Sequence, residues 1–333
     1  MSNNEDPDYR LVVDWTKGFS QLYEKHDKHR TPEEIWISTM AYCSQIGETI
    51  RTSEFEKLLR AAAHGFCWMC TFVSKCNSTS DLLFRCENDF CDMVYLKFPN
   101  RCGHCERDQC ICDPHAMDKK TDKAAQYKKL YNEYWKTVQS GSRKYQLSTW
   151  ISTFRRIFGT QIYLQNIETL GFHFLEEAGE EARAVRELTQ LRGVLACGLK
   201  GIDHEFLEKI TNIPGLVEEY EVCMGAIEKV PKNIDMKSSK SEHIKARIVR
   251  GKMDLVIEFA DTFSWFCAIM IKLRWMSQKL GIADEKSHIE IMLESEYGKK
   301  GDPLKCPTCS DIDCKCKFFP ETPDTQQTSD GGA

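Results

Sequence analysis

Four carboxylates carry the most informative spacing in the chain. Glu258 and Asp261 stand three residues apart inside Met253–Leu273 (MDLVIEFADTFSWFCAIMIKL), a stretch otherwise apolar enough to be a buried helix. On a helix such a pair shares one face, with Cβ atoms roughly 5–6 Å apart. Desolvating one carboxylate is costly and a like neighbour makes it worse, so the pair calls for a compensating cation. Glu177 and Glu180, within Phe172–Val185 (FHFLEEAGEEARAV), repeat the spacing. Two helices that each present acid-x-x-acid fit a site for Mg2+, which takes oxygen ligands at about 2.0–2.1 Å and keeps waters and substrate phosphates in its shell. Such a site can activate water against phosphorus, with one Glu also orienting the water. The plainer alternative for Glu176–Glu181 is a solvated helical face.

The cysteines form the second constellation. Cys102, Cys105, Cys110 and Cys112 make C-x2-C-x4-C-x-C, and Cys306, Cys309, Cys314 and Cys316 repeat it. Four thiolates close a tetrahedral structural Zn2+ site and leave no open position for catalysis. An iron–sulfur cluster and free thiols are the alternatives. Cys43, Cys67, Cys70, Cys197, Cys223 and Cys267 read as small buried hydrophobes, while Cys86 and Cys91 are weaker candidates for an extra ligand.

These groups need elements to hold them. A chain of 333 residues with a hydrophobic fraction of 41% is long enough for one large domain or two. A net charge of −5 with no basic stripe disfavours nucleic acid as a partner. The N-terminus MSNNEDPDYR lacks the features of a signal peptide, and no run reaches the ~18 apolar residues of a membrane span. The expectation is a soluble cytoplasmic protein, in which 17 cysteines signify metal rather than disulfides. Thr31 as N-cap, Pro32 and Glu33–Glu34 mark a helix start, and a second helix follows from Ser53 to about Val73. Pro99-Asn100 reads as a turn.

The order of features occurs twice, which points to a tandem duplication. Phe66-Cys67-Trp68-Met69-Cys70 lines up with Phe263-Ser264-Trp265-Phe266-Cys267, and Ile46-Gly47-Glu48 with Ala178-Gly179-Glu180. On these anchors Glu177 corresponds to Gln45, Glu180 to Glu48, Glu258 to Ala61 and Asp261 to His64. The first half thus keeps the scaffold and loses three of four acids. The expected architecture is all-α: two duplicated helical bundles, each with a four-cysteine, zinc-like element. The expected segments are 1–115, a polar linker at 116–145, 146–320 with an insertion at 190–245, and a disordered tail at 321–333. Within the insertion, Asp203–Ile210 and Gly215–Ile227 look helical and Lys232–Glu242 looks like a flexible loop. His64, Trp68 and Trp265 are expected in the core.

EEAGEEA followed by EFADTFSW resembles the MazG-like group of the all-α nucleotide pyrophosphohydrolase superfamily, whose hallmark is Glu-x-x-Glu on one helix and Glu-x-x-Asp on the next. The resemblance covers the second half and, as a degenerate copy, the first. It implies Mg2+-dependent hydrolysis of nucleoside triphosphates to monophosphate and pyrophosphate, with Glu177, Glu180, Glu258 and Asp261 as metal ligands. It also implies bundles that pair as dimers, so that the tandem copies act as a built-in pseudo-dimer, with a homodimer of tandem chains as a further expectation. Two departures stand out: the insertion splits the motif, and the phosphate-contacting Lys and Asn of a later helix have no clear match in Ser287–Lys300, where Lys299 and Lys300 stay unassigned. A rival reading is a nucleotide sensor or interaction scaffold, stabilised by zinc, that does not hydrolyse.

Overall fold

The computed structural model describes residues 9–103, 105–112, 129, 132, 145–196, 202, 204–229, 238–282 and 288–316. Every regular element among them is a helix; the only bridge of β type joins Leu11 and Gln146. The all-α expectation holds. No helix among the described residues is long and apolar enough to cross a membrane. The 321–333 tail, Cys197, nearly all of the 116–145 linker and residues 232–237 of the expected loop lie outside the described residues.

The first part of the chain forms α1 (Val12–Leu22), α2 (Glu24–Asp27), α3 (Pro32–Arg51), α4 (Phe55–Ser78) and α5 (Phe90–Lys97). Helix α3 opens as its sequence dictates: the Thr31 side chain accepts from the Glu34 amide and the Glu34 carboxylate accepts from the Thr31 amide, a reciprocal capping box. Ser53 takes φ 57° in the turn before α4, so that helix starts later than its composition suggests. It also runs on to Ser78, because Phe72, Val73 and Cys76 continue its buried stripe.

The second part forms α6 (Leu147–Leu164), α7 (Ile167–Ala196), α8 (His204–Lys209), α9 (Ile213–Lys229), α10 (Ser238–Lys279) and α11 (Ile289–Tyr297). Residues 238–242, expected in a loop, instead begin α10. Ile244, Ile248 and Val249 are buried at helical spacing, and α9 packs alongside, so tertiary burial extends the helix into polar sequence.

Helix α10 is the axis of the molecule. Its 42 residues pack against α5, α6, α7 and α9, which explains why Met253–Leu273 is apolar nearly all round. Helix α3 packs on α4 and α7, and comes close to α7 at Gly47 and Gly171, where a Cβ would lie 2.8 Å from Leu175 and Ile50 side chains. The two parts of the chain interlock. Helix α5, which precedes the first cysteine cluster, lies on α10, whereas α11, which precedes the second, lies on α4. The clusters cross over in the same way: the Cys110 amide donates to the Ile157 carbonyl on α6 (2.7 Å), and the Cys314 amide to the Leu22 carbonyl on α1 (3.1 Å). Trp15, Phe19 and Leu22 on α1 and Trp150, Phe154 and Ile157 on α6 are buried at identical spacing.

Candidate functional site

Helices α7 and α10 bring three of the four expected acids together. Glu177, Glu258 and Asp261 each offer a carboxylate oxygen, and these oxygens lie within 4.8 Å of one another. Their helices are fixed by apolar neighbours: Phe174 and Ala178 on α7, and Ile257, Phe259 and Ala260 on α10, are all buried. Glu180 does not join the triad. Its carboxylate pairs with Arg183 one turn on, at 2.7 Å, and it lines a cleft that also contains Glu258.

The triad is electrostatically loaded. Burial, then the charge of Asp261, pushes the Glu177 carboxyl up to about 8. Burial and Asp261 likewise push Glu258 up to about 7. The partial compensation comes from Lys97, the last residue of α5, whose ammonium forms an ion pair with Asp261. Both side chains are largely buried, at 13% and 14% exposure. Burial works against the Lys97 charge, but Asp261, Glu258 and Glu177 outweigh it and hold the ammonium above its ordinary range. Lys97 went unread in the sequence because it belongs to the other half of the chain. The signal was its place at the end of the helix before the first cysteine cluster, and the crossing of α5 onto α10 turns that into proximity. Lys299 and Lys300 sit elsewhere, beside Arg10 and Glu294.

Glu181 is a further buried acid behind the triad. It is fully buried, and neither oxygen makes a hydrogen bond, although Thr262 faces it. Burial raises its pKa well above the ordinary carboxylate value.

Beside the triad lies a cavity of about 280 Å3. Lys97, Glu177 and Asp261 form one end, and Phe158, His173 and Trp265 form apolar walls. His173 and Trp265 stack, with ring centroids 4.7 Å apart and planes at 24°. Trp68 is in the core as expected, at 5% exposure, but Trp265 is only half-buried, because it borders this cavity. Gln161, Gln165, Cys102, Cys110 and Cys112 also line it. Gln161 Nε2 donates to Cys110 Sγ (3.5 Å) and to the Cys112 carbonyl (3.1 Å), while the buried Gln165 Oε1 accepts from nothing.

The two cysteine clusters are built alike. In each, four sulfurs lie within 4.8 Å of one another. Cys102 and Cys112 sulfurs are 3.8 Å apart and Cys306 and Cys316 sulfurs 3.7 Å, matching the edge of about 3.8 Å of a tetrahedron with 2.3 Å Zn–S arms. Each has the same knuckle: the Glu106 amide donates to the Cys102 carbonyl (2.9 Å) and the Ser310 amide to the Cys306 carbonyl (2.8 Å), with both Glu106 and Ser310 at positive φ. Despite partial burial, the Ile111 and Arg107 amides lower Cys105 to about 7, and the Lys315 and Asp311 amides do the same for Cys309. These donor sets fit zinc and the acid triad fits a hard dication.

Cys43, Cys67, Cys70, Cys223 and Cys267 are buried as expected. Cys86 and Cys91 join no group of potential ligands among the described residues, and Trp150 Nε1 donates to Cys91 Sγ at 3.5 Å. His64 is a satisfied histidine, with Nδ1 2.6 Å from the Tyr297 hydroxyl. The chain matches no protein-family model, no curated protein and no solved structure.

Proposed function

We propose that the chain is a Mg2+-dependent hydrolase that converts nucleoside triphosphates to monophosphate and pyrophosphate. The observation that carries this reading is the convergence of Glu177, Glu258 and Asp261 beside a cavity with an aromatic wall and an ammonium at its base. Glu177, Glu258 and Asp261 would hold Mg2+, which would supply positive charge at phosphorus and lower the pKa of a water. The protein's own groups supply the rest. Lys97 is placed to hold a phosphate oxygen, the role that the resemblance assigns to a lysine of a later helix. One of the glutamates could also orient the attacking water and take up its proton. His173 and Trp265 offer a flat face for a nucleobase, and Gln165 an unused acceptor for its edge.

The corresponding crossings of α5 and α11 and the twin cysteine knuckles support descent from a duplicated bundle, with the first half as a degenerate partner. In this reading each cysteine set holds a structural zinc. The second reading is a nucleotide sensor that does not hydrolyse. It is favoured by the two ion pairs that tie up acids of the motif, Lys97–Asp261 and Arg183–Glu180.

The deciding experiment is pyrophosphate release from a panel of nucleoside triphosphates with Mg2+, comparing the native chain with Glu258→Gln. Hydrolysis is expected to fall at least a hundredfold in the variant, the scale of losing one preorganised charge-stabilising group. Mg2+-dependent nucleotide binding with no release by either protein would favour the sensor, and neither binding nor release would overturn both.

A further inference from the structure

The lengthening of α10 beyond the motif has a second product, a polar cleft of about 620 Å3 between α7 and the first turns of α10. It adjoins the acid triad through Glu258 and is lined by Arg183, Arg247, Arg250 and His243. On the correspondence of Ala61 with Glu258, α4 begins too late to have any turns equivalent to Ser238–Gly251. His243, Arg247 and Arg250, which line the cleft, stand on these added turns.

We infer that this cleft is an anion subsite for the terminal phosphates of the substrate, opened when a divalent cation loads the neighbouring acids. The inference rests on reading the acid cluster as a cation site. Two of the three guanidiniums are held by acids at its edge: Arg183 by Glu180 at 2.7 Å and Arg250 by Asp254 at 3.5 Å. Arg183 and Arg250 are exposed, at 61% and 68% of the side chain. Ion pairs of that kind are worth roughly 0–1 kcal/mol, so a competing cation displaces them readily. Arg247 is held differently, with Nε and Nη2 both on Glu187 Oε1 at 2.8 and 2.5 Å, and serves as a fixed wall.

Charge then changes sign on loading. Four carboxylates (Glu180, Glu187, Asp254 and Glu258) face three guanidiniums, which leaves the cleft without net positive charge. Glu180 and Asp254 lie one turn from Glu177 and Glu258 on the same two helices, so a dication at the triad that draws them toward it frees the forks of Arg183 and Arg250. Guanidinium forks match phosphate oxygens in geometry and bind them bidentately. A polyphosphate end, bearing several negative charges in line, is the ligand chemistry that such a cleft takes. The 280 Å3 cavity has apolar walls and includes Lys97, so the two spaces divide the substrate: base and the phosphate at Lys97 in the one, terminal phosphates in the other.

The test is isothermal titration calorimetry on the full chain. Mg2+ is titrated first, then inorganic pyrophosphate at fixed free Mg2+ and again in EDTA, for the native protein and for Arg183→Ala/Arg250→Ala. Both arginines are exposed, so the double variant should fold. The expected result is pyrophosphate binding that needs Mg2+, weakened at least tenfold in the variant, with Mg2+ affinity equal or higher because Glu180 and Asp254 are released. Mg2+ binding together with pyrophosphate affinity that the variant leaves unchanged overturns this inference alone. So does pyrophosphate binding as tight in EDTA as in Mg2+. Absence of Mg2+ binding in the native chain overturns the acid-cluster reading as well. A triphosphate with a non-hydrolysable α,β-bridge, weakened by the same variant, assigns the cleft to the substrate's phosphates; weakening of pyrophosphate alone assigns it to the leaving group.

Discussion

Where the second half of the chain gathers Glu177, Glu258 and Asp261, the first half has Gln45, Ala61 and His64, and the surroundings differ to match. Lys97 reaches the acids from the end of α5; at the end of α11, Tyr297 meets His64 at 2.6 Å, and Glu296 pairs with Arg60 at 3.0 Å. The acid triad borders a cavity, whereas the space beside His64 is filled by a stack in which Tyr42 and Tyr23 lie 6.2 and 6.0 Å from Trp68, with Arg30 5.2 Å above the indole. Glu48 and Arg51 keep the outward ion pair that Glu180 and Arg183 make. The chain thus has a charged, open centre at the triad and a neutral, packed one around His64. The difference teaches that the frame does not need the acids for stability; their burial is an expense tolerated in one half only.

The largest effect should come from trying to erase that difference. Gln45→Glu/Ala61→Glu/His64→Asp restores the acids to the first half. Ala61 is 4% exposed, and Tyr297 rather than a lysine ends the crossing helix here, so the variant buries new carboxylates and breaks the His64–Tyr297 bond. Stability should fall by several kcal/mol, on the order of 4, with no gain in Mg2+ affinity, as read by urea denaturation and calorimetry. A folded variant that binds an additional Mg2+ would show that packing is not what closes the first site.

Next in size is the pair of residues that end the crossing helices. Lys97→Met leaves Asp261 without its counter-charge, which should cost about 3 kcal/mol in urea without metal, much of it recovered on adding Mg2+. Tyr297→Phe removes only a hydroxyl from His64 and should cost about 1 kcal/mol, with no Mg2+ dependence. Equal losses would contradict the assignment of charge to one site and neutrality to the other.

Much of this arrangement was legible in the chain, and the exceptions have physical causes. The acid spacing on α7 and α10 and the repeated cysteine pattern are local, so periodicity and spacing exposed them. Glu180 was expected among the ligands because residues three apart share a face; yet Arg183, another three on, draws its carboxylate outward. Lys97 could not be found by periodicity at all, since its place depends on α5 crossing to α10. The matching spacing of Trp15, Phe19 and Leu22 with Trp150, Phe154 and Ile157 was available and went unused, because a buried aromatic stripe looks the same whichever helix it covers. The first turns of α10 read as loop because their polar side chains conceal the apolar contacts a few residues on.

A smaller effect separates acids that belong to the site from one that does not. Glu290 on α11 is buried, at 1% exposure, and accepts from the Ser148 amide at 2.8 Å at the start of α6; burial pushes it up to about 7. Glu177 and Glu258 are raised too, so all three act in the same direction. A carboxyl with a raised folded pKa stabilises most below its unfolded pKa, near 4.5, and that contribution is lost as pH rises through the folded value. Thermal unfolding should therefore show lower stability at pH 8 than at pH 5. Mg2+ should recover the share due to Glu177 and Glu258, and Glu290→Gln the remainder, about 1–3 kcal/mol, because the amide oxygen can still accept from Ser148. If Mg2+ alone abolishes the pH dependence, Glu290 is not the second source.

The smallest contrast lies in the cysteine clusters, which are alike in themselves and differ in what they border. Gln161 ties the first cluster to α6, and the cluster forms one wall of the cavity beside the triad. The second is tied to the first half by His26, whose Nε2 lies 2.7 Å from the Cys314 carbonyl, and borders none of the acids. Gln161→Ala and His26→Ala each remove a partly buried hydrogen bond next to a thiolate set without touching a thiolate. Each should lower stability by about 1 kcal/mol and leave zinc content unchanged. Only Gln161→Ala loosens the wall of the cavity beside the triad, so under the proposed hydrolase reading it alone should raise KM, roughly fivefold, the equivalent of about 1 kcal/mol of lost ground-state binding. Parallel KM changes in both variants would mean that the clusters act through the whole fold, and that the first has no local part in shaping the cavity.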